Sequence, residues 1–453
     1  MASFAAGLGT LAALEHRAFE TGRFDLGNMA QAVWSTAHGR PLEVTELGGD
    51  QITRLGAHVD PILVAFAPLW WLWPSPTMLL VLQAVVIALG ALPIFWLGRK
   101  HLESDWAGAL CGLAYLAYPA VQWLALDEFH PVALACPLLA FAIWYLDEDR
   151  LWMFVPFGVL AALTKEEIPL VVGALGIWYA ITKRRRIEGA VIAVVGTAAT
   201  AISLGIVMPH FREGAEPAFY GRYDAVGGSP RGLAETTFTD PFAVLGALTE
   251  GRDLLYLAEL GLPLAGLFVL APLALVAALP ELLANLLSSI STQTSIRFHY
   301  TAPIAPFLIA GAVLGAARLV RRREAAAALL AAAVLGTIVI GPLGAGELVP
   351  DRRSAHDRVA ARALALIPSN AAVSSTNGLG AHLSERRRIH SFPVVRDAEW
   401  VAVDLKRASY LDRRSDPSTT AVPLARLLLG GSWRTVFEED GVFVLRKVAT
   451  SKQ

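Results

Sequence analysis

Apolar runs recur along this chain from its N-terminus to about Leu343, and arginine clusters punctuate them. That alternation leaves little choice of fold. Each run must be buried in protein or lipid, and one soluble core has no room for so many. Hydrophobic residues make up 55% of the 453 and charged residues 17%, with mean hydropathy +0.50, outside the range of soluble domains. The fold class is therefore mainly α, a polytopic bundle of transmembrane helices. A net charge of −1 without a long basic tract speaks against nucleic acid as a partner. The two cysteines, Cys111 and Cys136, lie inside apolar runs and read as small buried hydrophobes, without metal-type spacing.

The positions of the cations set the topology. Arg99-Lys100, Lys183-Arg184-Arg185-Arg186 and Arg321-Arg322-Arg323 mark cytoplasmic ends by the positive-inside rule. Runs at 77–97, 106–124, 132–146, 151–163, 168–181, 189–208, 254–270, 272–287, 302–319 and 325–341, with a shortened one at 1–14, give about eleven spans. The first run reads better as a transmembrane helix with its beginning missing than as a signal peptide, because no basic start or cleavage site accompanies it. Residues 1–345 then form the membrane domain, with long outer loops at 15–76 and 210–253. Trp70, Trp71 and Trp73 around Pro68 mark an interfacial or re-entrant helix.

From Glu347 onward the composition turns polar. Helical patterns at 354–366 and 422–429 alternate with strands at 371–374 and 399–404, and a hairpin at 433–446 closes around Asp440-Gly441. Residues 346–453 thus read as a soluble extracytoplasmic α/β domain.

Asp25, Glu128, His130, Lys165, Glu166, Glu167, Arg297 and His299 come from distant stretches, yet each is expected at an outer helix end. Ionisable groups near a membrane are costly unless they face water or one another, so a shared site competes with separate helix caps. Asp25 can take a proton from an acceptor hydroxyl, or cap the helix beginning near Leu26. His58 and Asp60 share a face as a hydrogen-bonded or metal-ligating pair, unless Asp60 simply caps the helix at Pro61. His130 before Pro131, with Glu128 nearby, repeats that pattern. Lys165, beside Glu166 and Glu167, can meet a phosphate, with one of the glutamates holding its ammonium in place. Arg297, His299 and Tyr300 can neutralise a leaving phosphate, the histidine as a protonated donor. Arg222 and Tyr223 belong to the same substrate-binding list. The histidines and carboxylates could hold a divalent cation, although HExxH, CxxC and DxD signatures are absent from the outer stretches that carry them.

Several stretches carry a family likeness. Phe24-Asp25-Leu26-Gly27 with Gln31 and Trp34, Gly56-Ala57-His58 with Pro61, Pro74-Ser75-Pro76 with Gln83, Phe129-His130-Pro131, and Lys165-Glu166 together resemble the bacterial membrane-protein family of domain of unknown function 2079. Gly380-Ala381-His382-Leu383 and Ser391-Phe392-Pro393 extend the likeness into the outer domain. That family is similar to the GT-C glycosyltransferases, multi-span enzymes that take a sugar from a polyprenyl-phosphate carrier. The resemblance implies a GT-C-like bundle in the bacterial inner or plasma membrane, with Asp25 as the acidic residue of the first outer loop. It also implies an inverting glycosyltransferase whose partners are a polyprenyl-phosphate-linked sugar, the lipid bilayer, and a glycan, lipid or protein acceptor. His58 or His130 would orient Asp25, and the outer domain would bind acceptor or glycan. The chain departs from the metal-dependent members in lacking a paired acidic motif. A transporter, or a scaffold or sensor with a glycan-binding outer domain, are the alternatives. Transport sites sit near mid-membrane on broken helices, where this chain is almost free of charge.

Overall fold

The computed structural model describes residues 1–212, 218–249, 251–349, 353–407, 409, 411–413 and 418–448. Part of the expected 210–253 loop lies outside them. Its described residues form a 3-10 turn at Ala218–Val226 and helices Pro230–Thr239, Pro241–Ala247 and Gly251–Gly261.

Local sequence sets the helix ends. Pro76–Leu89 begins where the Ser75 side chain accepts from the Thr77 N–H, with proline at the first helical position. It continues through Ala91–Leu102 as one apolar run of 27 residues, about 40 Å at 1.5 Å per residue. Arg186–Phe211 and Arg322–Ala345 are the other two described helices long and apolar enough to cross a membrane. Asp105–Ala117 and Pro119–Leu126 meet at 49° and make a fourth span if counted together.

By length and composition, three or four spans are met among the described residues, which leaves the expected count of about eleven unconfirmed. Proline interrupts part of the apolar sequence. The expected in-and-out pair at 254–287 is broken at Pro263 and Pro272 into 3-10 turns at Leu262–Leu264, Leu267–Leu270 and Pro272–Ala278, and only Leu279–Leu286 returns to α-helix. Leu151–Ala162, Ile168–Thr182 and Ala305–Ala316 are apolar but short. Ala305–Ala316 is buried in protein along nearly its whole length, packed on Ala91–Leu102 and Ala135–Asp147. Arg186–Ile202 is the reverse, with Val191, Val194, Val195 and Ile202 exposed.

The polar C-terminal part folds around five strands: β3 (Val373–Ser375), β4 (Ile389–Ser391), β5 (Trp400–Asp404), β6 (Trp433–Glu439) and β7 (Val442–Lys447), in the order β4-β3-β5-β7-β6. The earlier two strands, β1 (Glu43–Thr45) and β2 (Gln51–Thr53), form a separate hairpin. β3 runs parallel to β4 and β5, whereas β7 is antiparallel to both of its neighbours. Every residue of β5 is buried, as a parallel strand covered on both faces requires. Helix Ala355–Leu364 starts with a capping box between Ser354 and Asp357. Strand β4 and helix Asn377–Ala381 carry no pattern legible in the sequence, because each is too short for a periodicity.

Two polar clusters mark opposite ends of the bundle. Helix Ala135–Asp147 ends at Asp147, whose carboxylate gathers Lys100, His101 and Lys183 at 2.7–2.9 Å. The chain enters that helix from His130, one bundle-length away, roughly 25 Å at helical rise.

Candidate functional site

Asp25 lies on a five-residue π-helical turn, Arg23–Gly27, and caps nothing. Its Oδ1 is 3.2 Å from His130 Nε2. A single glutamine places that histidine. From within helix Pro76–Leu89, Gln83 donates to the carbonyls of Leu124 and Asp127 and accepts the His130 backbone N–H at 3.0 Å.

Geometry also sets the histidine's proton count. His130 Nδ1 is 2.7 Å from the Glu128 carbonyl, an acceptor only, so Nδ1 carries a proton. Nε2 faces the Asp25 carboxylate and carries the second. Burial opposes this cation, but the Asp25 hydrogen bond and the charges of Asp127 and Asp25 outweigh it and raise its pKa to about 9. Its ring stacks on His299, centroids 3.7 Å apart. Burial and the His130 charge push His299 well below the usual histidine range, so it is neutral rather than the protonated donor the sequence suggested. Asp127 Oδ2 accepts the His299 backbone N–H at 3.0 Å and lies 3.3 Å from its Nδ1.

His299 leads on to a second group of residues. Its ring lies 4.2 Å from that of Tyr300, and two cations lie near the Tyr300 ring. Lys165 Nζ and Arg222 Cζ are each 5.8 Å from the Tyr300 ring centroid, and Arg222 donates to its hydroxyl at 3.3 Å. Lys165 is paired with Glu167 at 2.5 Å, and the charges of Glu167, Glu166 and Glu281 overcome burial to raise its pKa. The Tyr223 hydroxyl accepts from Gln293 at 3.3 Å.

Several expected roles change. Glu128, expected to bind substrate, turns its carboxylate onto the Gly22 N–H at 2.8 and 3.0 Å and the Leu26 N–H at 2.9 Å. Glu166, also expected to bind substrate, takes His58 Nδ1 at 2.8 Å and the Val59 N–H at 2.9 Å, and Glu167 is the glutamate that holds the Lys165 ammonium. Glu128 and Glu166 share a reason: each acid lies beside a loop whose amides have no helix or strand to satisfy them. Asp60 is not hydrogen-bonded to His58; it stands at the N-cap position before Pro61 as expected, but its side chain makes no cap hydrogen bond. It forms a buried pair with Arg54 at 2.7 Å. Arg297 lies 5.0 Å over Trp123, in a cavity of about 270 Å³ with Glu15, Glu20, Asp127 and Glu347.

Asp25, Glu128, His130, His299, Tyr300, Lys165 and Arg222 thus form one chain of contacts, with the His58–Glu166 pair beside Lys165. Arg23, Asp127 and Asn377 belong to the same neighbourhood and escaped the sequence reading. Only Asp127, beside Glu128 in the stretch leading to His130-Pro131, carried a usable signal.

Asp127, His130 and His299 bring one potential ligand atom each within 4.8 Å of the others. The stacked rings, however, set their in-plane lone pairs side by side rather than converging. Seating an ion would require one ring to rotate and His130 to lose a proton. As arranged, the set is a hydrogen-bonded network.

The family model described as "Predicted membrane protein (DUF2079)" matches residues 15–444. The fold is similar to the crystal structure of ArnT from Cupriavidus metallidurans in the apo state, with a TM-score of 0.51 at 13% sequence identity, covering 94% of this chain and 93% of that one. No curated protein matches the sequence.

Proposed function

Because this chain belongs to the DUF2079 family of membrane proteins and shares the fold of ArnT, we propose that it is a GT-C-type glycosyltransferase. In this reading it moves a sugar from a polyprenyl-phosphate donor to an acceptor hydroxyl. The single observation that carries the proposal is the Asp25–His130 contact. One carboxylate oxygen is fixed by a histidine locked through Glu128 and Gln83, while Oδ2 accepts from no described residue. That is the arrangement of an oriented general base.

The acceptor O–H gives its proton to Asp25 as its oxygen bonds to the anomeric carbon. The bond from that carbon to the phosphate oxygen breaks, and polyprenyl phosphate leaves with the electron pair. Attack from the opposite face inverts the anomeric centre. Lys165 and Arg222, both beside the Tyr300 ring, are the cations that would meet the leaving phosphate, with Arg297 at the cavity it shares with Asp127. His299, being neutral, shapes the wall and supports His130.

Lys100, Lys183 and Arg185 gather at the opposite end of the helices, which supports reading that end as cytoplasmic by the positive-inside rule. The site then opens on the extracytoplasmic face of a bacterial inner or plasma membrane, beside residues 346–453. The acceptor is a glycan, lipid or protein hydroxyl.

The test is Asp25→Asn in the purified full chain, assayed on a panel of polyprenyl-phosphate-linked sugars. Turnover should fall about 10²–10⁴-fold, the usual contribution of a general base, with the thermal midpoint nearly unchanged. Equal turnover by the variant and the wild type overturns the enzyme reading and leaves a scaffold or a transporter.

A further inference from the structure

The sequence assigns acceptor binding to the outer α/β part, yet the structure wires that part into the turn that carries Asp25. Arg23 is 2% exposed, and its guanidinium reaches strand β4 and the hairpin before it. It donates to the Ile389 carbonyl at 2.7 and 3.1 Å, to the Ser391 hydroxyl at 2.6 Å and to the Thr45 carbonyl at 2.5 Å. Next along the turn, the Phe24 N–H donates to Asn377 Oδ1 at 2.9 Å. Asn377 opens helix Asn377–Ala381, and its own N–H is held by Asp412 at 2.8 Å. From the membrane side, Glu128 takes the N–H groups of Gly22 and Leu26. The residues flanking Asp25 are thus tied alternately to the bundle and to the outer part.

Packing follows the same plan. A Cβ at Gly27 would lie 2.5 Å from the Ser384 hydroxyl and 3.2 Å from Ala381 Cα. One at Gly380 would lie 2.7 Å from Arg23 Cβ, and one at Gly22 would collide with the Asn377 amide. Glycines on both sides let the two backbones approach within side-chain distance. Gln31 closes the far edge, its amide donating to the carbonyls of Arg386 at 3.1 Å and Arg387 at 2.9 Å. The Gly380-Ala381-His382-Leu383 and Ser391-Phe392-Pro393 stretches therefore have a physical reason: they form the surface against which the Asp25 turn is set.

We propose that the outer α/β part is the positioning half of the catalytic loop, with Arg23 and Asn377 as positioning residues that aim the Asp25 carboxylate. This rests on the glycosyltransferase reading for its kinetic consequence but not for its structural one. Five residues of π-helical turn are held by Glu128 and His130 on the bundle side and by the outer part through Arg23 and Phe24, and a displacement of about 1 Å at a reacting group costs on the order of 10²-fold in rate.

The experiment compares wild type, Asn377→Ala, Asn377→Asp and Arg23→Gln as full chains in detergent. Two readouts are taken: amide hydrogen exchange over residues 20–28, and turnover of polyprenyl-phosphate-linked hexose at varied donor and acceptor. Asn377→Ala should exchange the Phe24 and Leu26 amides at least tenfold faster and lose about 10–100-fold in kcat, with acceptor KM within threefold. Asn377→Asp keeps the accepting oxygen and should restore most of both. Arg23→Gln should behave as Asn377→Ala, or fail to fold, in which case the two Asn377 variants decide. Unchanged exchange in Asn377→Ala overturns the proposal, as does a rise in acceptor KM at constant kcat, which would mark a binding module. If wild type turns nothing over, the enzyme reading fails, and the exchange data still judge the clamp.

Discussion

Replacing His130 by glutamine isolates the charge at the centre of the site. The wild-type ring is 7% exposed, with Nε2 on Asp25, Nδ1 on the Glu128 carbonyl and one face on His299. Unfolding frees it to titrate near 6.5, whereas the folded chain holds its proton to about 9. A pKa raised by folding stabilises the native state fully below the unfolded value, and the gain disappears as pH climbs through the folded value. The window is therefore pH 6.5 to about 9. At about 1.4 kcal/mol for each tenfold change in proton concentration, the full swing is roughly 3 kcal/mol. Asp25, Asp127 and Glu128 face the same ring and persist in His130→Gln, as does His299; because the His130 charge also lowers Asp127, Glu128 and His299, the difference between the two proteins reports His130 together with these coupled neighbours. Thermal midpoints in detergent from pH 6 to 9.5 should show wild type losing stability steeply over the upper part of that range. His130→Gln should start lower and run flatter. Parallel curves would refute the doubly protonated imidazole and with it the way Asp25 is oriented.

Arg54→Leu should cost about 3–5 kcal/mol, because Asp60, 2% exposed, would keep a buried charge without its partner; denaturant titration of the variant checks this. Gly196→Val should separate Ile168–Thr182 from Arg186–Ile202, since a Cβ there meets the Gly173 backbone at 2.7 Å and the Pro169 carbonyl; the result is a lowered thermal midpoint and faster proteolysis. A chelator should leave turnover unchanged, because the stacked His130 and His299 rings do not converge on one point; a loss restored by added zinc or manganese would place an ion among Asp127, His130 and His299. Glu128→Ala should strand the Gly22 and Leu26 N–H groups and lower stability by about 2–4 kcal/mol, read from the same titration.

Which residues would cluster was legible wherever a polar group interrupted an apolar run. Asp25, His130, Lys165 and His299 stood out because each lies where lipid-grade sequence stops, and a charge at such a place needs water or a partner. What each group does was not legible. Glu128 and Glu166 look like site acids in the chain, yet both spend their carboxylates on amides from loops more than a hundred residues away. His299 looks like a cation and is neutral, because the charge that decides it sits on His130. The span count stays unconfirmed for a related reason. Hydropathy records how apolar a run is, whereas length depends on where Pro263 and Pro272 break the helix.

By itself, the sequence determined that this is a membrane-embedded helical chain with a polar α/β end, because apolar periodicity and cation placement act within a few turns of helix. Only the tertiary structure decided that Arg23 and Asn377 tie the Asp25 turn to the outer part while Glu128 ties it to the bundle. The same holds for His130 keeping two protons, since both depend on partners brought from 102 to 366 residues away. Hydrogen bonds and charges act over a few ångströms of space, and the linear order of residues does not record those distances.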